Sequence, residues 1–310
     1  AATRTGFGSA NILRNITFTD LQNVQRINTS GRHIALLNSA RQGFGYGGAY
    51  APNLPMSYGN NWAPFAGPAT LAANATGTVK HTYWVPLAYS SMDLRGAIYA
   101  GVVNATMQLQ LTINNDPFVG ATDPLNAIYS GNNNGAWTNN VTVEVYQVYR
   151  DQLPMIDGAP VLPMQELNVI YDLKETVIPS VVLNQDFPVP YANYRAFLST
   201  LAIFDNGGSF NSGSDVNYFS LKAANSTELF KLDPDTIALE MRQTFMADPP
   251  PGTYYFDHRD KPLDTITYGN LELNLNASVV NANAALVMEY ESFQQVQQIP
   301  NASSLAGGAG

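Results

Sequence analysis

Cysteine is absent from all 310 residues. That removes disulfide frameworks, zinc–thiolate sites and thiol nucleophiles, and with them the small secreted scaffolds that depend on cross-links. Charge is scarce: Asp, Glu, Lys and Arg make up 13% of the chain, about half the share usual in soluble domains. Such a surface must be dressed with amides and hydroxyls, or be covered by other chains. Basic residues are the scarcer sign, 15 against 24 acidic, for a net charge of −9 and a pI near 4.7. A protein that grips DNA or RNA alone carries a basic face, so the balance argues against nucleic acid as a direct partner. No run of about 18 apolar residues occurs, so no membrane-spanning helix is expected. No signal peptide is recognisable. The first residue is Ala1 rather than Met, and the expectation is that N-terminal sequence was removed or precedes it.

Histidine occurs three times, as His33, His81 and His258. None has a partner at metal-ligand spacing, and a zinc site would need carboxylates to complete it. There is no HExxH, no Gly-x-Ser-x-Gly elbow and no P-loop. Gly45-Tyr-Gly-Gly48 lacks the strand–turn–helix setting of a phosphate cradle and reads as loop. The sequons at Asn74 and Asn140 are what an Asn- and Thr-rich chain generates by chance.

What is present is apolar and alternating. Hydrophobic residues make up 45%, with 17 Tyr and 14 Phe, enough for a sizeable core and for one large β domain or two ordinary ones. Met107, Leu109, Leu111 and Ile113 share one face of a period-two segment, as do Leu271, Leu273 and Leu275. Val141-Thr-Val-Glu-Val145 alternates as well, then changes phase at Tyr146 and Val148, which suggests a bulge or a strand buried on both faces. These are the marks of half-buried antiparallel strands. Turn clusters separate them at Gly43–Gly48, Gly131–Gly135 and Asn206–Ser209. Helices are few. Ser30 can cap one through Ile34, Leu37 and Ala40 that stops at Gly43. Asp233-Pro234 starts another with Ile237, Met241 and Phe245 on one face, stopped by Pro249 to Pro251. Asp123-Pro124 predicts one or two helical turns to Tyr129.

The segment Asp151–Pro160 is the best boundary, with two prolines and a glycine after a strong strand. About eight strands are expected after it, beginning near Val161, Phe187, Ala196, Val216, Thr253, Leu263, Leu271 and Ala285. About six are expected before it, near Ile12, Met56, Thr78, Ala97, Met107 and Val141. Eight is the complement of a jelly roll, so two such sandwiches would leave the first about two strands short. The expected division is residues 1–153, 154–299 and a small flexible arm at 300–310.

The densest chemistry is Thr253-Tyr-Tyr-Phe-Asp-His-Arg-Asp-Lys-Pro262. Asp257 or Asp260 with His258 could form an acid/base pair, and Arg259 could hold an anion. Consecutive strand residues point to opposite faces, however, so they cannot converge on one substrate without partners from elsewhere. The alternative is a hairpin-like connection whose charges, Lys261 included, neutralise one another. Glu144, Glu272 and Glu289 all sit at outward positions of their strands and are expected to be wet. No catalytic, cofactor-binding or metal-binding residue is therefore expected. The amide-rich, aromatic-rich surface suits a protein that packs against copies of itself.

Several blocks are familiar. Tyr83-Trp-Val-Pro-Leu-Ala-Tyr-Ser90, Asp93-Leu94, Gly96-Ala97, Asn126-Ala-Ile-Tyr129, Val145-Tyr-Gln147 and Asp151-Gln-Leu-Pro154 follow one another. Leu198–Asn211, Lys231-Leu-Asp-Pro234, Arg259-Asp-Lys-Pro262 and Tyr268-Gly-Asn270 come after them. In order and spacing they resemble the major capsid proteins of tectiviruses, the membrane-containing icosahedral bacteriophages. The region 43–65 departs from that pattern. The resemblance implies an all-β double jelly roll, two eight-stranded sandwiches side by side with a few short helices in loops. It implies a first sandwich that lacks its N-terminal strands here, since the family carries a membrane-proximal helix and those strands at its N-terminus. It further implies a non-enzymatic coat protein that forms a pseudo-hexagonal homotrimer. Trimers would tile a shell over an internal membrane, with vertex (penton), cement or tape-measure and membrane proteins as neighbours. The place would be the capsid of the virion, assembled in the bacterial cytoplasm. The turn at Asp257–Pro262 matches the family without His258, which favours the structural reading. Rival readings are a double jelly-roll amidase that cleaves glycans and a sugar-binding lectin. The lectin needs an exposed aromatic groove, yet only three Trp exist and Trp84 is expected in a strand.

Overall fold

The computed structural model describes residues 1–42, 65–90, 93–100, 106–119, 125–131, 135, 137, 141–149, 155–160, 169–208, 214–224, 227–245 and 252–295. The C-terminal half contributes β4 (Val169–Pro179), β5 (Asp186–Pro190), β6 (Arg195–Asp205), β7 (Val216–Ala223) and β8 (Thr227–Leu232). Helix α2 (Pro234–Phe245) follows, then β9 (Thr253–Asp257), β10 (Leu263–Asp264), α3 (Thr265–Tyr268), β11 (Glu272–Ala277) and β12 (Ala285–Gln295). Their pairing is nested. The first strand lies antiparallel to the last, β4 to β12, in register from Val169↔Gln295 to Pro179↔Ala285. Inside that pair β5 meets β11, β6 meets β9 and β10, and β7 meets β8. A long hairpin rolled over on itself in this way is a jelly roll. One sheet runs β9–β6–β12–β4 and the facing one runs β5–β11–β7–β8.

Alternation explains the core between them. Leu271, Leu273 and Leu275 are fully buried, as period two requires. Aromatic rings fill the middle in edge-on and tilted contacts, Tyr191 to Phe197 and Phe219 to Tyr254 both at 4.6 Å between centroids. Helix α2 closes one flank. Asp233 caps it by accepting from Thr236 N at 2.8 Å, and Ile237 and Met241 are buried.

The N-terminal half is not a separate body. Its β1 (Leu13–Thr19), β2 (Gln25–Thr29) and β3 (Gln108–Ile113) extend the same sheet, in the order β4–β2–β1–β3. The join is a parallel pairing, Leu173↔Ile27 and Lys174↔Asn28, within an otherwise antiparallel sheet. Helix α1 (Gly31–Gln42) leaves β2 at once, capped by Ser30, whose Oγ accepts from His33 N at 3.3 Å. Ile16, Ile27, Ile34 and Leu37 from this half share one apolar cluster with Tyr171, Leu173, Leu198 and Phe293 from the other. A smaller sheet pairs Ala2–Arg4 with Thr70–Leu71 and Tyr129–Ser130, and Tyr129–Ser130 with Phe118–Val119.

Several expected elements come out differently. Leu125–Tyr129 is not helical: after a turn, Tyr129 enters that small sheet opposite Arg4, and the ladder overrides the cap signal. Residues 141–149 join no ladder among the described residues, so neither the strand expected there nor its bulge is seen among them. Alternation favours an extended chain but supplies no neighbour to pair with. The strand expected near Thr78 shrinks to Lys80–His81, which leaves Trp84 in irregular chain. Near Ala97 the chain turns instead, with Ala97 N donating to Leu94 O at 2.8 Å. Strand β8 was hidden by its mixed composition, and the strand expected at Leu263 has only two residues. The expected starts at Met56 and Val161, the loops at 43–48 and the arm at 300–310 lie outside the described residues, as do Asp123, Pro124 and the stop signals Gly43 and Pro249 to Pro251. The Asn206-Gly-Gly turn is present, and a Cβ on Gly207 (φ +64°) would lie 2.4 Å from Ala282 O.

Burial separates the two alternating segments that look alike in sequence. Leu273→Ala should cost about 3 kcal/mol in urea unfolding. Leu109→Ala, on an edge strand where the leucine is 38% exposed, should cost less than about 1 kcal/mol.

Candidate functional site at the seam between the halves

The charged motif does not form a hairpin. Strands β9 and β10 both pair with β6, at residues 199–203 and 196–197, so 258–262 is an excursion within one edge strand. Its backbone is pinned by His258 N donating to Leu198 O at 2.8 Å and Lys261 N to His258 O at 3.1 Å. Arg259 folds back on Asp257, with Nε 2.9 Å from Oδ1 and Nη2 on Oδ2. Burial pushes the Asp257 carboxyl up, but its hydrogen bonds from Arg259 win and hold it below the usual range. Burial lowers His258 to about 4 against the pull of Asp257, so the ring is neutral near pH 7. Asp260 and Lys261 are exposed at the tip. These groups hold one another and do not converge on a common point.

The other two histidines lie elsewhere. His33 is buried on α1 with Nδ1 2.6 Å from Thr29 Oγ1, and burial lowers it to about 3. His81 packs its ring 4.3 Å from that of Tyr83 and is lowered to about 3 by burial. Among the described residues no group of three His, Asp or Glu side chains is placed to hold a metal ion.

Glu289 departs from expectation most. Glu144 is exposed and Glu272 half-buried, but Glu289 is fully buried. The alternation placed it correctly on the outer face of β12; that face is not wet, because α1 of the N-terminal half lies across it. Glu175 on β4 sits directly opposite Glu289, and Glu291 follows on the same face. Helix α1 answers with two arginines. Arg32 Nη2 lies 2.8 Å from Glu175 Oε1 and Nε 3.4 Å from Glu289 Oε1, while Nη1 donates to Asn126 Oδ1 at 2.8 Å. Ser30 adds its backbone N–H to Glu175 Oε2 and its hydroxyl to Glu289 Oε1, both at 3.1 Å. Arg41 pairs with Glu291 Oε1 and donates to Tyr171 OH at 2.6 Å and Tyr89 O at 2.9 Å. Tyr171 OH and Ser199 Oγ complete the shell of Glu291 at 2.8 and 2.9 Å. The Arg41 guanidinium also lies over the rings of Tyr89 and Tyr171.

Residues 83–90 and 93–97 seal this layer. Tyr83 OH donates to Ala10 O at 2.8 Å, and Arg95 lies over Phe293 at 4.6 Å. A Cβ on Gly96 (φ +83°) would come within 2.3 Å of Tyr171 Cβ, so only glycine lets the loop close. Arg26, itself paired with Asp20 at 2.6 Å, donates to Gly96 O. The blocks around Tyr83, Asn126 and Leu198 thus meet at one place in space. That place is cross-braced by buried ion pairs and hydrogen bonds; what it can do is hold two halves in one orientation.

Residues 1–153 match the profile described as P3 major capsid protein N-terminal, and residues 168–307 the one described as P3 major capsid protein C-terminal. The chain is 41% identical to the major capsid protein P3 of Enterobacteria phage PRD1 over 311 residues, 99% of this chain and 78% of that protein. The chain belongs to the P3 major capsid protein family. Its fold is also that of the STIV major capsid protein, with a TM-score of 0.57 at 13% identity over 99% of this chain and 85% of that one. A second structure, of Sulfolobus Turreted Icosahedral Virus, gives 0.53 at 14% identity over 99% and 80%. At such identities the likeness speaks for the fold, an all-β double jelly roll, and not for shared partners. Membership of the P3 family puts this chain in the capsid shell of a virion, in a structural role.

The seam and the turn should respond very differently to mutation. Arg32→Ala strands the fully buried carboxyl group of Glu289 and the half-buried one of Glu175 and should cost about 3–5 kcal/mol in chemical denaturation. Arg259→Ala removes a pair within a partly exposed turn and should cost less than about 1 kcal/mol. His258→Asn should leave assembly into particles unchanged, scored by sedimentation of virions; a loss of particles would return His258 to the functional residues.

Proposed function

We propose that three copies of this P3-family chain close around a threefold axis into a pseudo-hexagonal tile. Such tiles cover an icosahedral shell that surrounds an internal membrane. The observation that carries this reading is the ordered match of both halves to the two P3 major capsid protein profiles. In this reading residues 1–153 and 154–299 are the two sandwiches and 300–310 is an arm that varies with lattice position. The continuous sheet and the buried seam support it, because a tile edge made of two sandwiches needs them in fixed relation. Apolar side chains left at the surface, such as Val145, Tyr146, Val148 and Tyr149, favour a chain that is covered by neighbours. Obligate interfaces of this kind bury upward of about 2,000 Å². The chain carries out no chemistry of its own; vertex, cement and membrane proteins are its other neighbours. The net charge of −9 suits a coat separated from the genome by lipid.

Light scattering on the purified protein tests the tile. A chain of 33.6 kDa should give a stable species of about 100 kDa. A well-behaved monomer that does not associate at high concentration would overturn the trimer.

A further inference from the structure

Glu175 and Glu289 are cross-strand partners, and both meet α1. Carboxylates directly opposite one another repel, and here they share one cation, Arg32. The remaining charges around them are committed. Arg41 serves Glu291, Tyr171 and Tyr89. His33 is neutral and bonded to Thr29. Lys174 donates to Gln25 O, and Asp172 is paired with Arg195. From β6 the residue opposite Glu289 is Leu201, which is apolar. Glu289 Oε2 is buried and receives no hydrogen bond from any donor among the described residues. Two full negative charges against one positive charge, with Glu289 wholly withdrawn from water and Glu175 mostly so, are unfavourable.

We propose that Glu175 and Glu289 bind one proton between them, held on Glu289, so that the seam joins one acid, one carboxylate and one guanidinium. The site is a buried proton-binding site that couples the docking of α1 on β4 and β12 to pH. Glu175 is the charged member because it receives the amide of Ser30 at the start of α1 and the shorter bond from Arg32. The two carboxyl groups lie within hydrogen-bonding reach of each other. Burial and the neighbouring Glu175 push Glu289 well above the ordinary value of 4.5. Glu175 is itself pushed up by burial, but Arg32 and Ser30 outweigh that and leave it below 4.5.

The two groups bound a window of stability. Folded Glu289 binds its proton more tightly than the unfolded chain does, so its contribution is complete below pH 4.5 and is lost as pH rises through its folded value. Glu175 acts in the opposite sense: its contribution is present above pH 4.5 and is lost as pH falls through its folded value. The seam is therefore tightest between the two and loosens on alkalinisation.

The test uses the full chain and two readouts. Infrared spectra at neutral pH should show the C=O stretch of a buried carboxylic acid, shifted in heavy water and absent from Glu289→Gln. Melting temperatures from about pH 5 to about pH 10 should fall on the alkaline side for the parent chain. They should stay level for Glu289→Gln, whose amide keeps a donor at every pH. If Glu289→Gln fails to fold, Glu175→Gln serves, because a lone Glu289 then ionises against Arg32 and both the acid band and the alkaline fall should vanish. A parent chain with no acid band at neutral pH, or an alkaline fall that persists in whichever variant folds, would overturn the proposal.

Discussion

Two arginines on one helix meeting three glutamates on the outer face of a sheet hold this molecule in its shape. The outer face of a sandwich sheet normally looks into water and needs nothing to cover it. Here β4 and β12 carry Glu175, Glu289 and Glu291 on that face, and α1 lies on them. Once charges are buried, they must be paired or neutralised, and Arg32 and Arg41 do so from where the helix lies. Because α1 follows β2 with a single residue between them, that placement carries β2 alongside β4. The parallel join, the mixed apolar cluster and the sealing loop at Gly96 all depend on it.

The scarcity of charge takes on a different meaning in this light. Of 15 basic residues, Arg26, Arg32, Arg41 and Arg195 are committed to pairs whose side chains are largely withdrawn from water. The outer surface is therefore poorer still in positive charge than the composition suggests. Surface pairs add little stability, whereas a buried pair is costly to break and so fixes orientation more than it adds free energy. A coat subunit needs that quality. It must present the same edges each time, so the relation between its sandwiches has to be rigid while contacts between subunits stay weak enough to correct.

The motif with the densest chemistry proved to be a local arrangement. Asp257 and Arg259 satisfy each other within a turn that leaves and rejoins one edge of the sheet. The residues that brace the halves are spread from Ser30 to Glu291 and form no motif at all. Proximity along the chain was a poor guide, because a β-sandwich makes its contacts between strands far apart in sequence.

Much was legible in the residues alone. Period-two alternation marked Leu271 to Leu275 as core, Asp233-Pro234 and Ser30 marked helix starts, and the missing cysteines and sparse histidines left little for catalysis to use. The blocks around Tyr83 and Leu198 pointed to the coat-protein family, and the profiles agree. Alternation assigns a side chain to a face but cannot say what lies beyond that face. Glu144 and Glu289 occupy equivalent positions in alternating segments, yet one is wet and the other is fully buried. That difference was decided by where a helix from the other half of the chain came to rest, a contact between residues more than 250 positions apart that no local pattern encodes.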